Sequence, residues 1–217
     1  MRPVRGSRVV TVAMTRAAIA VVAAIVVGGC SGGEEQEKVF TPADATRIGN
    51  VQPVTPGWTW PTKQEKREAP DSQTEPQADP NNALLVELNK QTGDLVEIGE
   101  GGSRWQDNEK LANLSVKVFG SASDAHDLMG PLNAFSRGWG KVSGRITKDE
   151  EIDRLGDEAW VLWATSDYSG KEVTYHWRRG NLVVEAHVDC FGYCPGNVDA
   201  ATRAWVDAID EAARAGS

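Results

Sequence analysis

The sequence predicts an α+β fold in which helices pack on one face of an antiparallel sheet, after a disordered tether. Three observations predict it. A polar, proline-rich stretch precedes residue 81, alternating apolar strands follow residue 110, and helices with apolar stripes flank those strands. Roughly 135 residues follow the tether, which is enough for one domain with a hydrophobic core.

The first 29 residues have the pattern of an export signal. They hold four arginines and no acidic residue, and an apolar run extends from Ala17 to Val27. A bilayer-spanning helix needs roughly 20 apolar residues, so the run has the length of a signal peptide. An uncleaved membrane anchor is the alternative. Met1 and Met14 are both candidate starts, and Met14 would give the more compact signal.

The signal ends at Val27-Gly28-Gly29-Cys30, which resembles a bacterial lipobox. The resemblance implies that the Cys30 thiol receives a diacylglyceryl group and that Cys30 becomes the acylated N-terminus of an exported chain. A single acyl chain binds a membrane only marginally, whereas two hold it stably. The expected location is therefore the extracytoplasmic face of the cell membrane, with the lipid as the attachment.

Residues 30–80 are predicted to be a lipidated, flexible tether. Seven of the ten prolines lie between Pro42 and Pro80, and the stretch 63–82 lacks apolar periodicity. Such a segment buries too little surface to offset its ordering entropy. Residues 51–61, "VQPVTPGWTWP", are open to two interpretations: they dock on the domain as an extended segment, or they stay disordered. Residues 81–217 form the single predicted domain.

Within that domain, the sequence pattern predicts a series of helices and strands. Apolar residues at helical spacing predict a helix over 84–93, and alternation predicts a strand over 114–119. A capping box, Ser121 to Asp124, opens a second helix, which Gly130-Pro131 should kink or split. Residues 159–166 are apolar on both sides, as in a central strand.

The last part of the domain contains the clearest hairpin. Residues 172–188 alternate on both sides of a turn, which is either Arg179-Gly180 or Gly180-Asn181. An amphipathic helix over 199–214 closes the chain. The segments "LSVKVFGSASDAHDLM", "RLGDEAW" and "YHWRRGNLVVEAHV", followed by an Ala-rich helix, resemble exported α+β domains of lipoproteins and kinase sensors in high-GC Gram-positive bacteria. Several of those have a PsbP-like fold. The resemblance covers roughly residues 110–214 and implies binding or sensing, without active-site residues.

Charge argues against nucleic acid as a partner. The chain has 23 basic and 31 acidic side chains, and loss of the four signal arginines leaves a net charge of −12. Such a chain repels phosphate backbones and gains nothing from anionic lipid head groups. The expected partners are the membrane, through the lipid, and an unknown envelope protein or small ligand.

No motif of a nucleophilic enzyme occurs in the sequence, so the chain is predicted not to be an enzyme and to need no cofactor. His126 is expected on a solvated helix face. His176 and His187 are expected on the polar sides of the hairpin, where His176 faces Glu185 or His187 faces Glu172. The acidic run 149–158 lacks the spacing of a calcium loop and is interpreted as a solvated loop.

Two cysteines remain in the exported part of the chain. Cys190 and Cys194 are expected to form a disulfide, which an oxidising compartment favours and which would stabilise by about 2 kcal/mol. A metal or redox site with His187 is the alternative. A closed zinc site needs four ligands and no fourth is apparent, so no metal is predicted.

Aromatic residues are the last indication of function. The chain has eight tryptophans. Trp105, Trp139, Tyr175 and Trp177 are candidate ligand-binding residues, although core packing is the simpler interpretation of each. The predicted function is a non-catalytic binding or sensor module of the cell envelope. The alternatives are a carrier of a hydrophobic envelope ligand and an envelope hydrolase whose active site matches no known sequence motif.

Overall fold

The structure, a computed structural model, describes residues 39–53, 63–64, 80–166, 170–191 and 197–215. The export signal, the lipobox with Cys30, most of the predicted tether and Cys194 lie outside the described residues. The helices and strands are, in chain order, α1 (Pro42–Ile48), β1 (Lys63–Gln64), α2 (Pro80–Thr92), β2 (Glu97–Gln106), β3 (Lys110–Phe119), α3 (Ala122–Ser143), β4 (Arg145–Glu151), β5 (Glu158–Ser166), β6 (Gly170–Arg179), β7 (Leu182–Cys190) and α4 (Val198–Ala215).

All strands belong to one antiparallel sheet in the order β1-β2-β3-β7-β6-β5-β4. The prediction of an α+β fold with an antiparallel sheet is confirmed. The strand over 114–119, the central strand over 159–166, the hairpin and both flanking helices are present. Three strands that were not predicted extend the sheet, β1 and β2 at one edge and β4 at the other.

One side of the sheet, here called the apolar face, holds the main hydrophobic core. Val116, Val184 and Trp177 are neighbours across β3, β7 and β6, and all three side chains are fully buried. Helix α4 packs on them through Trp205 and Ile209, which are also fully buried. Burial of side chains this large contributes about 1.5–3 kcal/mol each.

The other side, here called the polar face, lies under α3. Because successive strand residues point to opposite sides, the neighbours of Trp177 and Val184 in sequence, His176 and Glu185, belong to this face. Helices therefore cover both faces, whereas one face was predicted. The alternation of a strand shows which residues share a side, but it does not show which helix covers that side.

Residues 39–53 pack on the apolar face with α4. Phe40, Ala45 and Ile48 are fully buried, and Trp205 Nε1 donates a hydrogen bond to the Val51 carbonyl oxygen at 3.1 Å. Thr41 opens α1 with a capping box to Asp44 and a proline in the first turn. The sequence analysis placed this stretch in the tether, so the packed unit begins earlier than the predicted boundary at residue 81. Of the segment 51–61, only residues 51–53 are described.

Glycines allow α1 to lie directly on β2. A Cβ at Gly101 would come within 2.0 Å of the Ala45 carbonyl oxygen, and one at Gly99 within 2.6 Å of Pro42. These distances exclude any side chain at either position. The same glycines weaken the strand pattern in the sequence, which explains why β2 was not predicted.

The hairpin turn is Gly180-Asn181, one of the two alternatives. Gly180 has φ +53°, and Arg179 pairs with Leu182. The buried Asn181 side chain accepts from the Phe40 amide at 2.7 Å and donates to the Phe119 carbonyl at 2.7 Å. It thereby joins the N-terminal segment to the sheet. Helix α3 contains Pro131 and is not split there.

Among the described residues, no helix combines the length and the apolar character that crossing a bilayer requires.

Candidate functional site

A cleft of about 280 Å³ separates α3 from the polar face of the sheet. We call it the α3 cleft. Strand β2 contributes one lining residue, β3 two, β6 and β7 two each, and α3 three. They are Arg104, Leu111, Asn113, Phe135, Ser136, Trp139, Glu172, Thr174, Glu185 and His187.

The sheet register builds the floor of the α3 cleft in rows across β3, β7 and β6. The first row is Leu111, Asp189 and Glu172; the second is Asn113, His187 and Thr174; the third is Ser115, Glu185 and His176. Directly opposed residues in an antiparallel sheet have Cβ atoms ~5 Å apart. The register therefore concentrates five titratable side chains on a small area under one helix.

His176 connects this floor to α3. Its ring is 2 % exposed, with Nδ1 2.8 Å from Asn133 Oδ1 and Nε2 3.4 Å from Ser136 Oγ. An amide oxygen only accepts, so Nδ1 carries a proton. On the other side Nε2 lies 3.5 Å from Glu185 Oε2. The histidine thus holds α3, β6 and β7 together through polar contacts.

Glu185 remains ionised in this environment. Burial alone would raise the pKa of its carboxyl group. The hydrogen bond from His176 and the charges of His176, His187 and Lys117 outweigh burial, so that the pKa lies below its ordinary value. The cleft therefore keeps a negative charge at neutral pH.

Thr174, His187 and Glu172 follow one another along the floor. Thr174 Oγ1 lies 2.9 Å from His187 Nδ1, and His187 Nε2 lies 3.8 Å from Glu172 Oε1. The order resembles a nucleophile, base and acid. However, Thr174 lies mid-strand between Leu162 of β5 and His187 of β7, where ladder hydrogen bonds occupy the backbone N–H groups. An acyl-transfer site needs free N–H donors for the oxyanion, so this arrangement suits binding better.

Asp189 is the least satisfied acid of the floor. Burial and the neighbouring Glu172 carboxylate raise its pKa to about 7. Its buried Oδ1 has no hydrogen-bond partner among the described residues. Glu172 and Asp189 occupy directly opposed register positions, so the charge of Glu172 disfavours ionisation of Asp189.

The α3 side of the cleft is apolar. Phe135 and Trp139 lie one turn apart with ring centroids 6.3 Å apart and planes inclined by 33°. Trp139 is 37 % exposed, a large fraction for an aromatic side chain in a domain with a well-formed core. Leu111 adds an apolar residue from the sheet. The cleft thus combines an aromatic wall with a charged floor.

A smaller cavity of about 110 Å³ lies beside the α3 cleft, between α2, α3 and the sheet. Its lining is mixed, with Leu88, Leu128, Leu132 and Val183 on the apolar side and Asn89, Thr92, Ser115 and Lys117 on the polar side, and Glu185 lines both cavities. Its volume is well below the ~300–1,000 Å³ of typical ligand pockets. We therefore treat it as a packing defect at the edge of the cleft.

The structure separates the four candidate aromatic residues. Trp105, Tyr175 and Trp177 are at most 4 % exposed and belong to the apolar core, where Trp105 packs edge-to-face on Trp205 at 5.5 Å. Only Trp139 lines the cleft. The first three lie on the apolar face of their strands, and α4 and residues 39–53 cover that face.

Both predicted histidine–glutamate contacts occur together. His176 faces Glu185, and His187 reaches Glu172 diagonally. His176 lies on the polar side of its strand, as expected, and α3 covers that side, so that the ring is buried. The solvated setting expected for His126 is confirmed, since its side chain is 64 % exposed and contacts Glu158 at 2.8 Å.

Sequence reasoning missed Asn133 and Ser136, which α3 directs at His176. A signal existed, because both occupy the buried stripe of α3 with Met129 and Gly140, at helical intervals. Polar residues on a buried stripe indicate that the surface beneath them is polar as well.

Of the two cysteines predicted to form a disulfide, the structure describes only Cys190. Cys190 is buried at the end of β7, while Cys194 lies outside the described residues, so their disulfide stays a prediction. Within the described residues, no group of three or more His, Cys, Asp or Glu side chains is arranged to hold a metal ion.

Comparison with known proteins gives a weak structural similarity. No family model matches the chain. No curated protein matches it either. Among solved structures, the chain is similar to the extracellular domain of PknH from Mycobacterium tuberculosis, with 13 % identity and a TM-score of 0.36. The match covers 57 % of this chain and 69 % of that chain. A likeness this weak indicates neither a shared ligand nor a shared pathway.

Proposed function

We propose that this protein is a non-catalytic binding module, held on the extracytoplasmic face of the cell membrane, whose α3 cleft takes a small ligand. One observation carries the proposal: a concave site of about 280 Å³ has an aromatic wall and a floor of convergent polar groups. Its volume is near the lower end of the range for small-molecule sites, which combine these same features.

The cleft favours binding over catalysis. His176 holds α3 on the sheet through Asn133 and contacts Glu185 on the neighbouring strand, and Thr174 lacks free oxyanion donors. Outside the cleft, Asp157 accepts a hydrogen bond from the Gly180 amide at 2.6 Å and Glu158 pairs with His126. These acids have structural partners, which weakens the case for a hydrolase.

The cleft also fits a small polar molecule better than an acyl chain. An acyl chain requires a continuous apolar lining, and Glu172, Glu185 and His187 interrupt it along the floor. The adjoining cavity is small and has a partly polar lining, so it does not extend an apolar site. The structure therefore gives no specific support to a carrier of hydrophobic ligands.

Ligand binding is tested with the mature chain and a fragment library. Fragments that bind should shift the indole N–H resonance of Trp139 in two-dimensional NMR spectra. Trp139→Ala should abolish these interactions, whereas Val142→Ala, a change at another exposed apolar residue of α3, should leave them intact. A library without binders, or binders indifferent to Trp139, would contradict the proposal.

Membrane attachment is tested independently. The lipobox ending at Cys30 supports a lipid anchor, since two acyl chains suffice to retain an acidic domain. Cells expressing Cys30→Ala should release the protein from the membrane fraction and incorporate no labelled palmitate. Retention of the variant on membranes would mean that another feature anchors the chain.

The same compartment favours a disulfide between Cys190 and Cys194. Titration of the exported, denatured protein should find no free thiol from this pair, and two should appear after reduction.

A further inference from the structure

The charges around the α3 cleft are unbalanced. Glu172 and Glu185 line it, and Asp189 lies directly opposite Glu172 in the register. Arg104 is the one lysine or arginine among the lining residues, and its Nε and Nη2 donate to Gln106 Oε1 at 3.1 and 2.7 Å. Gln106 is a neutral partner, so the guanidinium keeps its charge, and the lining holds two carboxylates against one guanidinium. The cleft offers a ligand more negative than positive charge.

Of the two glutamates that line the α3 cleft, Glu172 is the more buried. The residue is 6 % exposed, so that solvent stabilises its charge poorly. Ser143 Oγ donates to Oε2 at 3.3 Å, and His187 Nε2 is 3.8 Å from Oε1. Within the described part of the chain, no lysine or arginine pairs with it. A carboxylate has about four acceptor positions, so capacity remains for a donor from a ligand.

The wall opposite this floor suits the remainder of such a ligand. Phe135 and Trp139 present aromatic surface, which takes apolar groups and also attracts positive charge to the ring face. A ligand with a cationic nitrogen and an apolar portion would use both sides of the cleft. A neutral polyol would leave the charge of Glu172 uncompensated, and an anion would be repelled.

We infer that the α3 cleft binds a small organic ammonium ion, with its charged nitrogen at Glu172 and its apolar portion against Phe135 and Trp139. This inference rests on the proposed function and names the ligand class of that same site. The ligand is a primary or substituted amine carrying an aromatic or compact aliphatic group.

Three probes of nearly equal size and shape test the class. Phenethylamine, 2-phenylethanol and phenylacetate share the aromatic ring and differ in charge. They are titrated at pH 7 into the mature chain, with tryptophan fluorescence and calorimetry as measurements. Phenethylamine should bind about tenfold more tightly than the alcohol, because a charge-assisted hydrogen bond replaces a neutral one. Phenylacetate should bind most weakly.

Two variants locate the effect. Glu172→Gln should lower the affinity for the amine to that for the alcohol and leave the alcohol unchanged. Glu150→Gln, which removes an exposed carboxylate of β4 outside the cleft, should alter neither. Should Glu172→Gln fail to fold, the ranking of the three probes on the unaltered protein and its loss in Trp139→Ala decide the matter.

The outcomes separate the two proposals. Equal or reversed affinities of amine and alcohol, abolished by Trp139→Ala, would overturn the ammonium inference and leave the binding function standing. Failure of all three probes would also overturn the inference, and the fragment screen would then decide whether the cleft binds another class. An amine preference that persists in Glu172→Gln would place the cation elsewhere and overturn the assignment to Glu172.

Discussion

The two faces of the sheet are built from the same strands, but one carries a hydrophobic core and the other carries polar side chains under α3. On the apolar face Val184, Trp177 and Trp205 are fully buried in a continuous core. On the polar face, one residue along each strand, Glu185 and His176 exchange a polar contact under α3. Alternation lets a single strand supply both environments.

The difference assigns stability and binding to opposite sides of one sheet. The core on the apolar face holds most of the buried hydrophobic residues in the described part of the chain. The polar face is covered incompletely, and its polar side chains satisfy one another only in part, as Asp189 Oδ1 illustrates. Groups with spare hydrogen-bonding capacity and an adjacent cavity are what a binding site requires.

The largest effect should come from a truncation on the apolar face. Trp205→Ala should lower the free energy of unfolding by about 3–5 kcal/mol, because it opens a large cavity between α4 and the sheet and removes the hydrogen bond to Val51. Urea denaturation of the mature chain measures the loss. Trp139→Ala on the polar side is the matched control and should cost below about 1 kcal/mol. Equal losses would abolish the distinction between the faces.

A smaller but still large effect should show that residues 39–53 belong to the apolar core. Ile48→Ala should destabilise by about 2–4 kcal/mol, since the side chain is fully buried in the core beside α4. Val39→Ala, at a residue 74 % exposed, should change stability by less than about 0.5 kcal/mol. If Ile48→Ala proved as mild as Val39→Ala in urea denaturation, this segment would be a tether after all.

This segment shows how far composition can be relied on. Prolines and charges averaged over residues 30–80 predicted a tether, and the average concealed Phe40 and Ile48. A local signal was present in Thr41-Pro42-Ala43-Asp44, the same kind of capping box that correctly placed the start of α3. The helix is short, and nothing in the sequence shows that β2 would receive it.

Alternation within the chain predicted the hairpin and the members of each face. It could not distinguish a polar face in water from a polar face beneath a helix, because both give the same pattern along a strand. The cleft depends on this distinction. Asn133 and Ser136 on the inner stripe of α3 were the available signal, whereas the rows Glu172–Asp189 and Thr174–His187 follow from register, which only the fold determines.

The third prediction concerns the pH dependence of stability that Asp189 on the polar face causes. Burial and the neighbouring Glu172 raise the folded-state pKa of Asp189 from its ordinary value near 3.8 to about 7. The folded protein therefore holds a proton that the unfolded chain releases near pH 4. The associated stability is complete below about pH 4 and is lost as the pH rises through 7. At pH 8 the ionised, poorly partnered carboxylate destabilises the fold.

Replacing this carboxyl group should remove that pH dependence. Asp189→Asn should be about 1–2 kcal/mol more stable than the unaltered protein at pH 8 and equal to it at pH 4. At ~1.4 kcal/mol per pKa unit, a shift from 3.8 to about 7 corresponds to ~4 kcal/mol. The expected effect is smaller, because Asp189 is partly exposed and solvent screens its charge. Asp153→Asn, at an exposed loop residue, should change neither value. Thermal unfolding between pH 4 and pH 8 measures the difference. A variant that is less stable at pH 8 would mean that the carboxylate has a cationic partner on the polar face, and the excess of negative charge on which the ammonium site depends would be lost with it.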